Sequence, residues 1–523
     1  MAPTAPGANH ARRSTPLATA CSTRAWRRCA ALTTTARRCI TARESIEMMS
    51  AITRLAGRHE GTEKRPGPRI DCLAQTGHSC SAAWNARFRF RVPSRPRALP
   101  NLLASSALAL LLTTASPAAT LLTGATIHPV SSAPIENGQM LVDGGKIVAV
   151  GADLSAQAAG AEHIDYSGKW LLPAFIVANS VMGLTEIESV RGTVDFAEAG
   201  AINPNARAQV AINADSELLP VARANGVLYA QVVPQVAQGG IIAGQSALVR
   251  LAGWNFEEMT LRSPVGMHLM WPTARLPPFL PPNLREEAAR GAQRSRELIE
   301  RVFDDAAAYA TARAAGSTDI DARWEALRGV LDGRIRLFIH ALDLQQIREA
   351  LDFTERRALA FTLVGAQDGW RAAELLAARG IPVILYPPSE LPLRRHEGPD
   401  AAYANAARLA AAGVEIALGS DGSSFAAALE RNLPYAAGMA VAHGLAWEQG
   451  LRAITLAPAR MLGVADRLGT LEPGKDASFI VSDGDPLDVR SGIVAAWIEG
   501  QPVDLSNRHS RLRDRHQPRY RTR

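Results

Sequence analysis

The chain has 523 residues, 47% hydrophobic and 20% charged, a globular balance that allows two or three ordinary domains or one elaborated barrel. Its net charge of +7 is uneven: residues 1–100 hold 18 of the 57 Lys+Arg and 5 of the 50 Asp+Glu, so they carry +13 and the remainder −6. The net charge therefore gives no ground for a nucleic-acid partner, and no apolar run reaches the ~20 residues of a transmembrane segment.

Residues 1–91 are rich in Arg, Ala and Thr and show no sustained periodicity, which predicts a non-folding extension or a misassigned start. Residues 92–118 have the three parts of a secretory signal peptide: Arg95 and Arg97, the apolar run Leu102–Leu112, and small residues around Ser116-Pro117-Ala118. This layout predicts a periplasmic or secreted protein translated from near Val92, the alternative being an Arg-rich targeting peptide. All five cysteines (Cys21, Cys29, Cys39, Cys72, Cys80) precede this point, so the mature chain folds without disulfides.

From residue 119 short apolar runs alternate with turn residues: LLTGATIHPV, QMLVDGG and KIVAVG, with Asp143-Gly144-Gly145 as a hairpin turn. A matching pair, ASFIVSDGDP and IVAAWIEGQPV, closes the chain. Each set is too short for a stable sheet alone, so residues 119–172 and 465–505 are expected to build one small β-sandwich. Between them, residues 173–464 alternate strands and helices. Residues 217–224 read as helix, 226–234 as a buried strand and 283–314 as helix. RIRLFIHA, LAFTLVGA, IPVILYPP and VEIALGSD then alternate with DLQQIREALDFTERR, GWRAAELLAARG and AAYANAARLAAAG. Apolar strands joined by helical crossovers imply a parallel sheet buried on both faces, and hence an α/β fold, a (β/α)8 TIM-like barrel. Gly380 and Gly413 stand where helix C-caps are needed. Residues 506–523 form a basic stretch expected to be disordered.

The segment AITLAPARMLGVADRLGTLEPGKDASFIVSDGDPL (453–487), with the opening ATIHPV, GKIVAVG and GKWLLPAFI, resembles the amidohydrolase superfamily, within it the imidazolonepropionase-like branch. The resemblance spans residues 120–505. It implies a terminal β-sandwich around a barrel, and a divalent metal at the C-terminal mouth held by a His-x-His pair on strand one, single histidines after strands five and six, and an Asp after strand eight. Such a metal would acidify a bound water, with the Asp moving its proton.

On this pattern the chain departs from its relatives. Asn179 and Val181 occupy the His-x-His positions, His340 matches strand five, Gly365 stands where the strand-six histidine belongs, and Asp421 matches strand eight. Two of five ligands remain, His340 and Asp421, against the three of a usual catalytic zinc site. The expectation is at most one weakly held divalent metal, zinc or iron, with a metal-free site equally expected. Restoring histidine at positions 179, 181 and 365 is expected to rebuild a centre. A carbamylated bridging lysine is ruled out by counting, because Lys146, Lys169 and Lys475 are the only lysines after residue 118 and all belong to the sandwich.

His340 could equally be a remnant ligand, a general base or a packed polar group, and Asp421 a catalytic carboxylate or a helix cap. His396, with Arg394 and Arg395, lies in a charged loop on the mouth side and could bind an anionic part of a substrate, a solvated loop being the plainer reading. His268 is expected to pack among Met267, Met270 and Trp271; His128 and His163 belong to the sandwich. Two functions follow. One is an exported hydrolase of non-peptide C–N bonds in a small cyclic or linear amide, with His340 and Asp421 as acid/base groups and Asn179 orienting substrate or water. The other is a non-catalytic relative that binds a ligand or supports an intact paralogous amidohydrolase. A homo-oligomer fits either.

Overall fold

The computed structural model describes residues 119–521 apart from 274–278, 280 and 390. The extension 1–91 and the leader 92–118 lie outside the described residues. Five short strands open the chain: β1 (Thr120–Ile127), β2 (Ile135–Asp143), β3 (Lys146–Gly151), β4 (Glu162–Asp165) and β5 (Trp170–Pro173). The β2–β3 turn is the expected two-residue one, with Gly144 at φ +53° and Gly145 at φ +79°, values that side-chain-bearing residues rarely adopt.

The central strands follow: β6 (Phe175–Ser180), β7 (Ala197–Glu198), β8 (Val227–Val232), β9 (Gln235–Val236), β10 (Ile242–Arg250), β11 (Thr260–Met270), β12 (Arg336–Ala341), β13 (Phe361–Gly365), β14 (Val383–Leu385) and β15 (Ile416–Leu418). Three more close the chain: β16 (Phe479–Ser482), β17 (Ile493–Ile498) and β18 (Gln501–Pro502).

Both ends of the chain share one hydrogen-bonded sheet, ordered β18-β17-β16-β5-β1-β2-β3 with β4 also on β1. The joining seam is the antiparallel β5–β16 pair, Leu172 opposite Ile480. Strand alternation splits these residues between two cores. Leu171, Phe479 and Val481 turn inward with Met140 and Ile127, whereas Leu172 and Ile480 join the barrel's core. The small sheet thus packs on the barrel through Leu172, Ile480, Ala496 and Ile498, while Leu121 and Leu141 pack separately with Leu154 and Ala158.

The eight barrel strands run in the order β6-β8-β10-β11-β12-β13-β14-β15, and a parallel bridge from Ala178 to Gly419 brings the last back to the first. Seven are mutually parallel. The third, β10, is antiparallel to both neighbours, since it returns directly from β8 without a crossover helix. This departs from a regular (β/α)8 unit while preserving the count of eight. Elsewhere the crossovers are helical. In the helix Pro282–Ala314, Ile299, Val302, Phe303 and Ala306 recur at helical spacing and are buried. Phe303 meets Phe353 at 5.1 Å between ring centroids, and Phe353 meets Trp271 at 5.4 Å. The helix Leu344–Arg356 starts on a capping box in which Asp343 and Gln346 satisfy each other's backbone N–H groups. Gly380 and Gly413, at φ +63° and +87°, end their helices as the sequence predicts.

The basic end is helical over Arg508–His516, not disordered. Asn507 and Ser510 form a capping box, and Arg511 pairs with Glu217 at 2.9 Å.

Candidate functional site

Counting around the barrel places the sequence-selected positions at one end. Asn179 and Val181 lie at the end of the first strand, His340 on the fifth, Gly365 at the end of the sixth, and Asp421 three residues past the eighth. The end of each parallel strand points to the same mouth, which brings Asn179 to Asp421's loop: Asn179 Nδ2 donates to the Ser420 carbonyl at 2.9 Å.

Asn179 is fully buried at φ +58°, a left-handed conformation that asparagine tolerates better than most residues. Its backbone N–H donates to Gln231 Oε1 at 3.2 Å. That bond orients the Gln231 amide, whose Nε2 faces Ser246 Oγ at 3.1 Å and His268 Nε2 at 3.4 Å. His268 Nδ1 then lies 2.9 Å from His340 Nε2. A chain of polar groups therefore crosses five successive strands inside the barrel. With Gln231 donating to His268 Nε2, the network assigns the His268 proton to Nδ1, and His340 Nε2 accepts it. His340 Nε2 has then no lone pair to spare, and its Nδ1 carries the remaining proton.

Both imidazoles are held neutral. Burial lowers the His340 pKa to about 3, and burial with the neighbouring His340 takes His268 well below the usual histidine range. His268 also stacks on Phe338 at 4.9 Å. Sequence reading placed His268 among apolar neighbours; the fold instead turns it inward as the partner of His340. The available signal was a second histidine on the strand adjacent to His340's.

Asp421 is exposed and its Oδ1 accepts the Ser423 N–H at 2.8 Å. Ser423, not Asp421, caps the next helix, accepting from Ala426 N at 3.1 Å. A buried group that sequence reading missed stands behind this loop. Glu430 receives a hydrogen bond from Ser180 Oγ at 2.7 Å, and its Oε1 is buried without a partner. Burial pushes its pKa up to about 8, the Ser180 and Ser420 hydroxyls pull against this, and the Asp421 charge adds to it. Only the fold brings Glu430 to strand ends 250 and 10 residues away.

Two positions resist a metal. Val181 is buried and has no donor atom. Gly365 adopts φ +96°, and a Cβ there would collide with Leu342 and stand 3.3 Å from Tyr386, so restoring histidine there requires Leu342 to move. The three-histidine restoration expected from sequence is therefore strained at one position. Among the described residues no three His, Cys, Asp or Glu side chains group closely enough to hold a metal ion. The donors present do not fit a catalytic divalent centre, which needs three protein ligands.

The loop residues stand apart from this centre. The Arg394 guanidinium binds Asp368 at 2.5 Å and Glu397 at 2.6 Å, both acids being almost fully buried. Its guanidinium is thereby paired with two acids. His396 lines a separate cavity of about 420 Å³ with Trp370, Arg371 and Arg408. His128 packs against Trp170 and Trp447, at 4.4 and 5.3 Å, at the edge of the terminal sheet.

Comparison with known proteins agrees with the strand count. The Amidohydrolase family matches residues 283–506. An imidazolonepropionase of Syntrophobacter fumaroxidans is 32% identical over 163 residues, 31% of this chain and 35% of that protein. The amidohydrolase tasK of Hapsidospora irregularis is 42% identical over 74 residues, 13% of this chain and 8% of that one. The matches thus span about a third and less than a tenth of these two relatives. The structure of an amidohydrolase from Thermotoga maritima MSB8 superposes with a TM-score of 0.65 at 26% identity, covering 74% of this chain and 99% of that one. Residues 283–506 therefore resemble the amidohydrolase family, and the barrel as a whole superposes on an amidohydrolase. The 163-residue match is to an imidazolonepropionase. As an amidohydrolase relative the chain keeps the barrel and the terminal sheet, and carries Asn179, Val181 and Gly365 at three of the five ligand positions of the family pattern.

Proposed function

We propose that this exported chain is, by family, a hydrolase of non-peptide C–N bonds whose metal centre is degenerate, and that its barrel mouth now binds a small polar ligand without hydrolysing it by the metal route. The family resemblance supports the hydrolase class. The single observation carrying the loss is the 2.9 Å bond that occupies His340 Nε2. Of the two surviving ligand positions, one has its lone pair engaged and the other, Asp421, stands alone. In intact relatives a divalent metal would supply the activated water. No step is derived through one here.

What this chain's residues do is hold a polar ligand. Asn179 Oδ1, Glu430 Oε1 and Gln235 Nε2 are buried and unpartnered. Burying such groups without partners costs ~1–3 kcal/mol each, a cost that a ligand supplying the missing bonds would relieve. The test is hydrolysis of a panel of cyclic and linear amides by the purified exported protein, with and without added zinc. No turnover in either condition is expected; zinc-stimulated turnover lost in Asp421→Asn would refute the reading. A binding role also suits a partner of an intact paralogue, read out as a change in the paralogue's activity on mixing.

A metal-free hydrolase is favoured by one observation, the exposed Asp421 carboxylate on the loop whose Ser420 carbonyl accepts from Asn179 Nδ2, a group able to take a proton from a water at the mouth. In that case slow turnover would be zinc-independent and abolished by Asp421→Asn.

A further inference from the structure

We infer that the exposed helix Arg508–His516, with the turn of helix Pro518–Arg521 that follows it, is a docking face for an anionic phospholipid bilayer. This role is independent of whether the barrel mouth is catalytic.

The first support is the distribution of charge. Residues 506–523 hold seven arginines and a single acid, Asp514, a net +6, whereas residues 101–505 hold 32 Lys+Arg and 44 Asp+Glu, a net −12. An anionic surface therefore repels the acidic body and attracts this stretch. Helix stability does not account for the arginines. Arg508 and Arg511 sit near the helix start, where a positive charge opposes the helix dipole, and the helix begins instead on the Asn507–Ser510 capping box. Pairing within the molecule does not account for them either. Arg511 is bound to Glu217 and Arg513 to its neighbour Asp514, but Arg508, Arg515 and Arg519 make no ion pair among the described residues.

The second support is the face that the unpaired arginines share. Arg508, Leu512 and Arg515 recur at i, i+4 and i+7, so they lie on one side of the helix, and all three are exposed, Leu512 at 40%. Two other contacts hold the helix to the body: Arg511 to Glu217 at 2.9 Å, and Arg431 Nη1 donating to His509 Nδ1 at 3.3 Å. Tyr520 follows at 78% exposure. A nucleic-acid backbone offers phosphates to the arginines but nothing to Leu512. A bilayer interface takes all three kinds of side chain: arginines at the lipid phosphates, a leucine at the acyl boundary and a tyrosine at the headgroup level. The mixture of charge and apolar surface on one face thus favours a bilayer.

The test is co-sedimentation with vesicles of about 30% phosphatidylglycerol in phosphatidylcholine, compared with phosphatidylcholine alone. It uses the exported form, starting at Ala119, because residues 1–100 carry +13 and would bind the vesicles themselves; the hydrophobic cores all lie beyond that point. Binding to the anionic vesicles alone is expected, with release at about 0.5 M salt, where charges are screened within a few ångströms. Each surface arginine adds about fivefold to partitioning, so Arg508→Gln/Arg515→Gln/Arg519→Gln should weaken binding about a hundredfold. Leu512→Ser should weaken it about fivefold and leave its salt dependence unchanged. Both variants alter exposed side chains, so the melting temperature should hold. Equal binding to the two vesicle types, no binding to either, or undiminished binding by the triple variant overturns the bilayer face. Tight binding of a short DNA duplex without vesicle binding overturns it too, and reassigns the arginines to a nucleic acid.

Discussion

Glu430 shows how one residue can carry a pH signature. Its carboxyl is buried between Ser180 and the Ser420–Asp421 loop, and its pKa rises from an ordinary glutamate value to about 8. The folded state thus holds a proton that the unfolded chain has released above about pH 4.5. Stability from this group is complete below about pH 4.5 and is lost steadily as pH climbs to about 8, by a few kcal/mol in all. Glu430→Gln keeps the Ser180 contact and removes the proton. The buried His340 and His268 act in the opposite sense in both proteins, so the readout is the difference: chemical denaturation at pH 5 and pH 8 should show Glu430→Gln gaining stability relative to wild type as pH rises; parallel pH profiles would refute it. Gly365 gives a second residue-scale prediction. At φ +96° and against Leu342, Gly365→Ala should cost ~2 kcal/mol or more, measured as a fall in the denaturation midpoint. Much at this scale was legible beforehand. Asn179, His340 and Asp421 were selected on their resemblance to the family pattern, and the fold puts them on or just past the first, fifth and eighth barrel strands. Glu430, Gln231 and His268 were not, because their partners lie 250, 52 and 72 residues away and no local pattern marks them.

Among elements, the helix Leu344–Arg356 illustrates what sequence resolves well. Asp343 and Gln346 announce its start three residues apart, and the capping box is present. Asp343→Ala should cost ~1 kcal/mol with the fold intact, read from denaturant midpoints at constant slope. The third barrel strand illustrates the opposite. IAGQSALVR was not assigned from the sequence, and its antiparallel course follows from a short return loop that periodicity does not flag. The terminal helix Arg508–His516 was missed for a related reason. Its composition argues for disorder, while its Asn507 cap and the Arg511–Glu217 pair are positional facts.

Taken as a whole, the molecule is closed by its ends. β16 and β17, from the last tenth of the chain, complete a sheet begun by β1–β5, and Phe479 and Trp497 stack at 5.5 Å within its core. Phe479 is fully buried, so Phe479→Ala should cost ~3–5 kcal/mol, enough to shift expression into the insoluble fraction. This pairing of ends was legible because neither strand set could stand alone. The central claim also belongs to this scale: the barrel persists while its mouth no longer assembles three metal ligands. Its most direct test is equilibrium dialysis of the purified protein against micromolar zinc, followed by elemental analysis of wild type and His340→Ala. The expected result is less than about a tenth of an equivalent bound in both, as a two-ligand remnant requires. One equivalent in wild type, lost in His340→Ala, would contradict it.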